Sequence, residues 1–241
     1  RAGDCYFYLR NFRKAENAYL MSVDASPNTG DYASFQSAYV AGLLKKYVTK
    51  ISRLKRLTEV YPNSEYADDA MYETGRSFIM LDNETEAIRI YQQLLLKMPN
   101  SPLARKAAVE TGMIYDNQGK SRQAIAAFKE VIADYPGTEE AYTALESLEN
   151  LYIGLNEVKS FLDYTKTLNM TMVGQVENRQ DSISYIAAER QYMNGNYATA
   201  VEGFNTYVSN YCKGGRYCTS AQYFMADSYY RLKDENQALS I

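Results

Sequence analysis

The chain has 241 residues with 26 basic and 29 acidic side chains, so its net charge is −3 and the broad basic surface of a nucleic-acid binder is not expected. Because histidine is absent, the commonest general base and most zinc and iron ligands are missing, and we predict no enzyme activity, no cofactor and no metal site. No apolar run approaches the ~18 residues of a membrane span, so none is predicted.

One spacing recurs along the chain: a small residue, an aromatic residue three positions later, and a second small residue twelve after the first. It is clearest in Gly3, Tyr6, Ala15 and Tyr19; in Gly75, Phe78, Ala87 and Tyr91; and, 37 positions later, in Gly112, Tyr115, Ala124 and Phe128. The spacing predicts pairs of helices that cross closely through their small residues, with aromatic rings beside the crossing. A period of this length is typical of a stacked array of helical repeats.

Turn residues divide the array into units. Proline, which cannot continue a helix, closes units at Pro27, Pro62, Pro99 and Pro136. Ser64 and Ser101 follow as predicted N-caps of the next helices. Within units, the predicted reversals are Asp82-Asn83, Asn117-Gln118-Gly119 and Asn194-Gly195-Asn196.

These proline and turn residues predict seven helix-turn-helix units in a single array. They span roughly 1–27, 28–62, 63–99, 100–136, 137–174, 175–212 and 213–241. Because a stable array needs polar capping repeats and neither end has one, we expect the chain to be truncated at both ends.

These residues resemble the tetratricopeptide repeat (TPR). The order that carries the resemblance is Gly112, Tyr115, Gly119, Ala124, Phe128 and Pro136. The phrase YPNSEYADDAMYETG and its echo MPNSPLARKAAVETG are similar to a bacterial branch that includes the periplasmic Tol-Pal-associated TPR protein and the TPR lipoprotein of outer-membrane β-barrel assembly. The resemblance implies an all-α, right-handed superhelical solenoid.

Two units depart from the repeat. The second has Lys50 at the second small position, and the fifth has Glu149, Tyr152 and Phe161 in place of the usual residues. We therefore expect different helix packing in the fifth unit.

The resemblance implies that the first helix of each unit lines a concave, protein-binding face. Tyrosine, present 24 times while tryptophan is absent, is well suited to such a surface. The positions carried over are Tyr32, Phe35, Tyr39, Tyr72, Arg76, Ile79, Val109, Met113, Asp116, Asn117, Tyr185, Glu189, Tyr192, Tyr223, Asp227 and Tyr230. The alternative is that these rings only pack along helix edges.

A basic cluster in the second unit contains Lys45, Lys46, Lys50 and Arg53. It predicts either a solvated helix face or a patch for an acidic protein partner.

The three cysteines bear on the compartment. Cys212 and Cys218 bracket a turn that lacks the usual proline, and they predict either a disulfide or two free thiols. A disulfide would indicate the periplasm or the outer membrane, and free thiols the cytoplasm. Cys5 is expected to be a buried apolar side chain.

The sequence therefore predicts a non-enzymatic scaffold, in which a peptide or partner segment lies along the concave face, in a role such as cell-envelope assembly. Two alternatives stay open: a self-assembly module that forms a homo-oligomer, and a solenoid whose tyrosines bind a carbohydrate or small ligand.

Overall fold

The computed structural model describes residues 1–25, 30–168, 176 and 179–241, and this part of the chain contains helices and turns but no strand. The helices are α1 (Ala2–Tyr8), α2 (Phe12–Ala25), α3 (Asp31–Leu43), α4 (Tyr47–Val60), α5 (Ala67–Ile79), α6 (Glu84–Lys97), α7 (Pro102–Asn117), α8 (Ser121–Asp134), α9 (Glu139–Gly154), α10 (Val158–Thr165), α11 (Gln180–Met193), α12 (Tyr197–Tyr211), α13 (Cys218–Arg231) and α14 (Glu235–Leu239). The predicted all-α chain of helix-turn-helix units is confirmed. Pro27 lies outside the described residues.

The chain divides into two compact units, Arg1–Ala127 and Phe128–Ile241. Within each unit, helices pack mainly against their neighbours in sequence, as expected of a stack of helical repeats. The extent of the seven repeats as one array stays a prediction.

Glycine allows the helices of the N-terminal unit to cross closely, but against an aromatic ring. A Cβ added to Gly75 would lie 2.2 Å from Cε1 of Tyr91, and one added to Gly3 would lie 2.5 Å from Cδ1 of Tyr19. At these two crossings the aromatic ring of the pattern lies nearest to the glycine, and the contact expected between the two small residues stays a prediction. In the C-terminal unit small residues do meet, since a Cβ on Gly203 would lie 2.8 Å from Cβ of Ala188.

The short turn within each helix pair contains one residue in the left-handed region. These residues are Arg10, Lys45, Asp82, Gly119, Asn156, Gly195 and Lys233. Only glycine adopts this conformation without a steric cost, which explains the two glycines predicted at these turns.

Of the two serines predicted as N-caps, one is in that position. Ser101 is the N-cap of α7, and its Oγ accepts a hydrogen bond of 3.0 Å from the backbone N–H of Leu103. Ser64 is not the N-cap of α5, because that helix begins after Tyr66. Its hydroxyl still accepts from the backbone N–H of Tyr66 at 3.2 Å and donates to Asp31 at 2.8 Å, which ties the turn to the preceding helix pair.

The cysteines differ from one another. Cys212 and Cys218 are joined by a disulfide across a Cα–Cα distance of 5.3 Å, between α12 and α13. Cys5 is exposed, so the expectation that it is buried is wrong.

The fifth helix pair is altered, as its sequence predicts. Its second helix, α10, has only 8 residues, although Phe161 is fully buried at the expected place. Glu149 occupies the usual small position and pairs with Arg179 at 2.9 Å. This ion pair joins α9 to the start of α11, whereas α9 and α10 meet through the rings of Tyr152 and Phe161, whose centroids are 6.0 Å apart.

Candidate functional site

A groove of about 540 Å³ lies on the first-helix side of the N-terminal unit. It is lined by α3, α5 and α7, with the first residues of α4 and α6. Its lining residues are Tyr39, Gly42, Leu43, Tyr47, Lys50, Glu73, Arg76, Ser77, Ile79, Met80, Glu84, Glu110, Met113, Ile114 and Asn117. We call this the inner groove.

The apolar part of the inner groove comes from equivalent positions in successive repeats. Tyr39 and Met113 occupy the position of Arg76 in the preceding and following repeats. Leu43 and Met80 each lie one helical turn further along. These side chains are accessible: 58% of Met80 and 39% of Met113 is exposed. A cluster of exposed apolar side chains in one groove is typical of a binding surface.

The polar part begins with an ion cluster of Lys50, Glu73 and Arg76. The buried Lys50 ammonium pairs with one carboxylate oxygen of Glu73. Nη1 of Arg76 contacts the other oxygen at 3.3 Å. A Cβ on Gly42 would lie 2.9 Å from Cδ of Lys50, so glycine makes room for the lysine that replaces the usual small residue.

Glu110 forms a second polar cluster with two tyrosines. The hydroxyls of Tyr72 and Tyr91 donate to the two carboxylate oxygens of Glu110, which joins α5, α6 and α7. The two rings stack with centroids 5.8 Å apart. Burial, together with the bond to Glu110, raises the pKa of both tyrosines, so the hydroxyls stay protonated donors at neutral pH.

Of the residues predicted on this face, those that line the inner groove are Tyr39, Arg76, Ile79, Met113 and Asn117. Others lie elsewhere. Asp116 is exposed outside the lining, and Tyr72 is half-buried against Glu110. Val109 is buried, so its predicted place on the binding face is wrong.

In the C-terminal unit, Tyr185 is buried, so its predicted role as a surface ring is wrong. It stacks on Tyr217 with ring centroids 4.5 Å apart and donates to Glu189 at 2.9 Å. Burial, with the bond to Glu189, raises the pKa of Tyr185 to about 12. Tyr185 is therefore a core residue that also holds the Glu189 carboxylate.

The other predicted residues of the C-terminal unit share α11 and α13. Tyr192 donates to Asp227 at 2.6 Å, and Nε of Arg231 donates to the same oxygen at 3.0 Å. These bonds hold the pKa of Asp227 below its usual value. Tyr223 and Tyr230 are exposed on α13. Their binding role stays a prediction.

The basic cluster does not form a free patch. Lys46 and Arg53 both pair with Glu16, at 2.9 and 2.8 Å, and Lys50 pairs with Glu73. Of the four cations, only Lys45 projects from the turn without a described acidic partner. The prediction of a patch for an acidic partner is therefore corrected: these charges are satisfied between helices within the unit.

Sequence reasoning missed Leu43, Met80 and Glu110 in the inner groove. The repeat spacing was a usable signal for the first two, because Leu43, Met80 and Asn117 follow one another at 37 positions. Glu110 follows Glu73 at the same spacing, but its bonds to tyrosines of two other helices left no sequence signal.

The described residues contain no cluster of His, Cys, Asp and Glu with the arrangement of a metal site. No helix in the described ranges combines the length and apolarity that crossing a membrane would require.

Comparison with known proteins identifies the repeat. The family model described as "Tetratricopeptide repeat" matches residues 69–101 and 106–138. These two segments therefore match tetratricopeptide repeats, and the resemblance predicted from the residues is confirmed at that level. No curated protein matches the sequence.

Similar solved structures agree on the fold. The C-terminal part of a TPR repeat-containing protein from Cytophaga hutchinsonii has a TM-score of 0.58 and 14% identity, covering 98% of this chain and 90% of that one. A tetratricopeptide repeat protein from Parabacteroides merdae has a TM-score of 0.52 and 16% identity, covering 87% of this chain and 76% of that one. The MamA protein has a TM-score of 0.54 and 22% identity, covering 75% of this chain and 91% of that one.

Proposed function

We propose that this protein is a non-enzymatic scaffold that binds a segment of a partner protein in the inner groove. The observation that carries the proposal is that three successive first helices present exposed apolar side chains to one concave space. A repeat stack exposes such a surface along its first helices, and an extended or helical segment can bind along it.

The inner groove has the composition of a recognition surface. Met80 and Met113 are unbranched and polarisable, so they adapt to partner side chains of different shape. Full burial of an apolar side chain contributes about 1.5–3 kcal/mol, so several such contacts along the groove are needed to offset the cost of binding and ordering a segment.

The proposal of a scaffold rather than an enzyme rests on the residues available. Histidine is absent from the sequence, and the carboxylates of Glu73 and Glu110 are held by cations and hydroxyls of the same unit. No pair of groups in the inner groove has the geometry of a nucleophile beside a free base.

We also propose that the protein works in an oxidising compartment of the cell envelope, such as the periplasm. The disulfide between Cys212 and Cys218 supports this, because such bonds persist mainly in oxidising compartments. The resemblance to the envelope branch of TPR proteins points the same way. Alkylation of acid-trapped thiols in the source cells tests it, and free Cys212 and Cys218 would place the protein in the cytoplasm.

The binding proposal is tested by selecting peptides from a random displayed library on the full chain. Met80→Asp with Met113→Asp should weaken the selected peptides about 100-fold, because two apolar contacts worth about 1.5 kcal/mol each are lost. The matched control is Leu96→Asp, on the second helix α6, where 83% of the residue is exposed. The control should leave affinity unchanged. Equal affinity for the groove variant and the wild type would refute the proposal.

A further inference from the structure

The acceptors of the inner groove are largely occupied. One oxygen of Glu73 pairs with Lys50 and the other contacts Arg76. Both oxygens of Glu110 accept hydrogen bonds from tyrosine hydroxyls. Glu84 accepts from the side-chain amide of Gln118. Both oxygens of Glu73 and of Glu110 are therefore engaged within the unit, as is one oxygen of Glu84.

Arg76 is in the opposite situation. Its guanidinium has five N–H donors, of which the structure engages one, in a long contact of 3.3 Å to Glu73. The side chain is 57% exposed, whereas the Lys50 side chain is 9% exposed. Arg76 is therefore the cation of the inner groove that can bind an incoming group.

Arg76 also lies among the apolar side chains of the groove. Its equivalents in the neighbouring repeats are Tyr39 and Met113, and Met80 follows it by one helical turn. When a group of the partner segment binds Arg76, the residues next to it in that segment contact the apolar side chains of the inner groove. The planar guanidinium favours a carboxylate, which it can bind through two parallel hydrogen bonds.

We propose that the partner segment carries an aspartate or glutamate side chain beside an apolar residue, and that Arg76 binds this carboxylate. The inference rests on the proposed function of the inner groove and names the chemistry of its partner. The apolar neighbour of the acid packs against Met80 and Met113.

The charges that line the inner groove also predict which rate constant, association or dissociation, reflects the preference for an acidic segment. Lys50 and Arg76 face Glu73, Glu84 and Glu110, so the five lining charges sum to −1. The lining as a whole therefore does not attract an acidic segment at long range, and the preference arises from the short-range bond to Arg76. It should appear in the dissociation rate more than in the association rate.

The test uses soluble peptides with amidated C-termini, taken from the selection on the full chain. The conserved acid of each peptide is replaced by its amide, and both peptides are measured against wild type, Arg76→Gln and the control Arg89→Gln. Arg89 is an exposed arginine on α6 that pairs with Glu86 in the same unit. Circular dichroism shows whether each variant remains folded.

Removing the acid should weaken binding to wild type and to Arg89→Gln about 10- to 100-fold, and should have little effect on Arg76→Gln. The inference is overturned if the loss is the same in all three proteins, if the selected peptides share no acid, or if affinity needs a free C-terminal carboxylate instead. In each of these cases, a peptide that binds the double variant Met80→Asp with Met113→Asp more weakly than wild type still supports the proposed function. Peptides that bind this double variant as tightly as wild type would refute both the further inference and the proposed function.

Discussion

Replacing Gly75 by alanine tests the close crossing of α5 and α6. The new Cβ would lie 2.2 Å from Cε1 of Tyr91, so the ring must move ~1.2 Å to reach an ordinary contact of 3.4 Å. Tyr91 is fully buried and bonded to Glu110, so it cannot swing into solvent. Overpacking of this kind costs about 1–3 kcal/mol, and displacement of the hydroxyl leaves Glu110 with a weakened bond.

The weakened bond costs about 0.5–1.5 kcal/mol more, and alanine gains about 1 kcal/mol of helix propensity over glycine, so we expect a net loss of about 1–2 kcal/mol. Urea denaturation followed by circular dichroism, with amide hydrogen exchange to locate the change in α5 and α6, measures it. Gly154→Ala in α9 is the control, because its Cβ would meet only the flexible end of Arg190, at 3.4 Å. An unchanged or higher urea midpoint for Gly75→Ala, with normal protection of α5, would refute the reasoning.

Two further predictions concern cross-links within each unit. Reducing the disulfide with a thiol reagent should lower the unfolding free energy of the C-terminal unit by about 2 kcal/mol, as expected for a loop this short. In Cys212→Ser with Cys218→Ser the reagent should do nothing, and an unchanged melting curve for reduced wild type would contradict the prediction. Burial raises the pKa of Glu16, but its hydrogen bonds from Lys46 and Arg53 outweigh this and hold it below the usual value. The ion cluster therefore stabilises the fold above the unfolded pKa of about 4.3 and loses this contribution as the pH falls through the folded pKa. Glu16→Gln should cost about 1–3 kcal/mol at pH 7, since one cation is half exposed, and should flatten the acid limb of a stability–pH curve; an acid limb like that of wild type would count against this.

The sequence predicted the helix pairs because their spacing is local. A small residue, an aromatic and a second small residue recur at fixed distances, and each turn carries its own glycine or polar residues. The same spacing correctly placed Arg76 and Met113 on one face. These features depend only on helix geometry and repeat period.

Contacts between helices that are distant in sequence could not be predicted in this way. Tyr185 is buried because Tyr217, from the turn closed by the disulfide, stacks on it. Lys50 is buried because Gly42 makes room for it and Glu73 pairs with it. Each outcome depends on which side chain a neighbouring helix presents at the crossing, and the repeat pattern does not contain that information.

The most direct test of the inner groove is methyl NMR of the full chain labelled at its methionines and titrated with a selected peptide. Met80 and Met113 line the groove, whereas Met21 and Met193 lie outside it and are more exposed than either. Saturating peptide should shift the Met80 and Met113 methyl signals and leave those of Met21 and Met193 in place. Shifts confined to Met21 or Met193 would contradict binding in the inner groove.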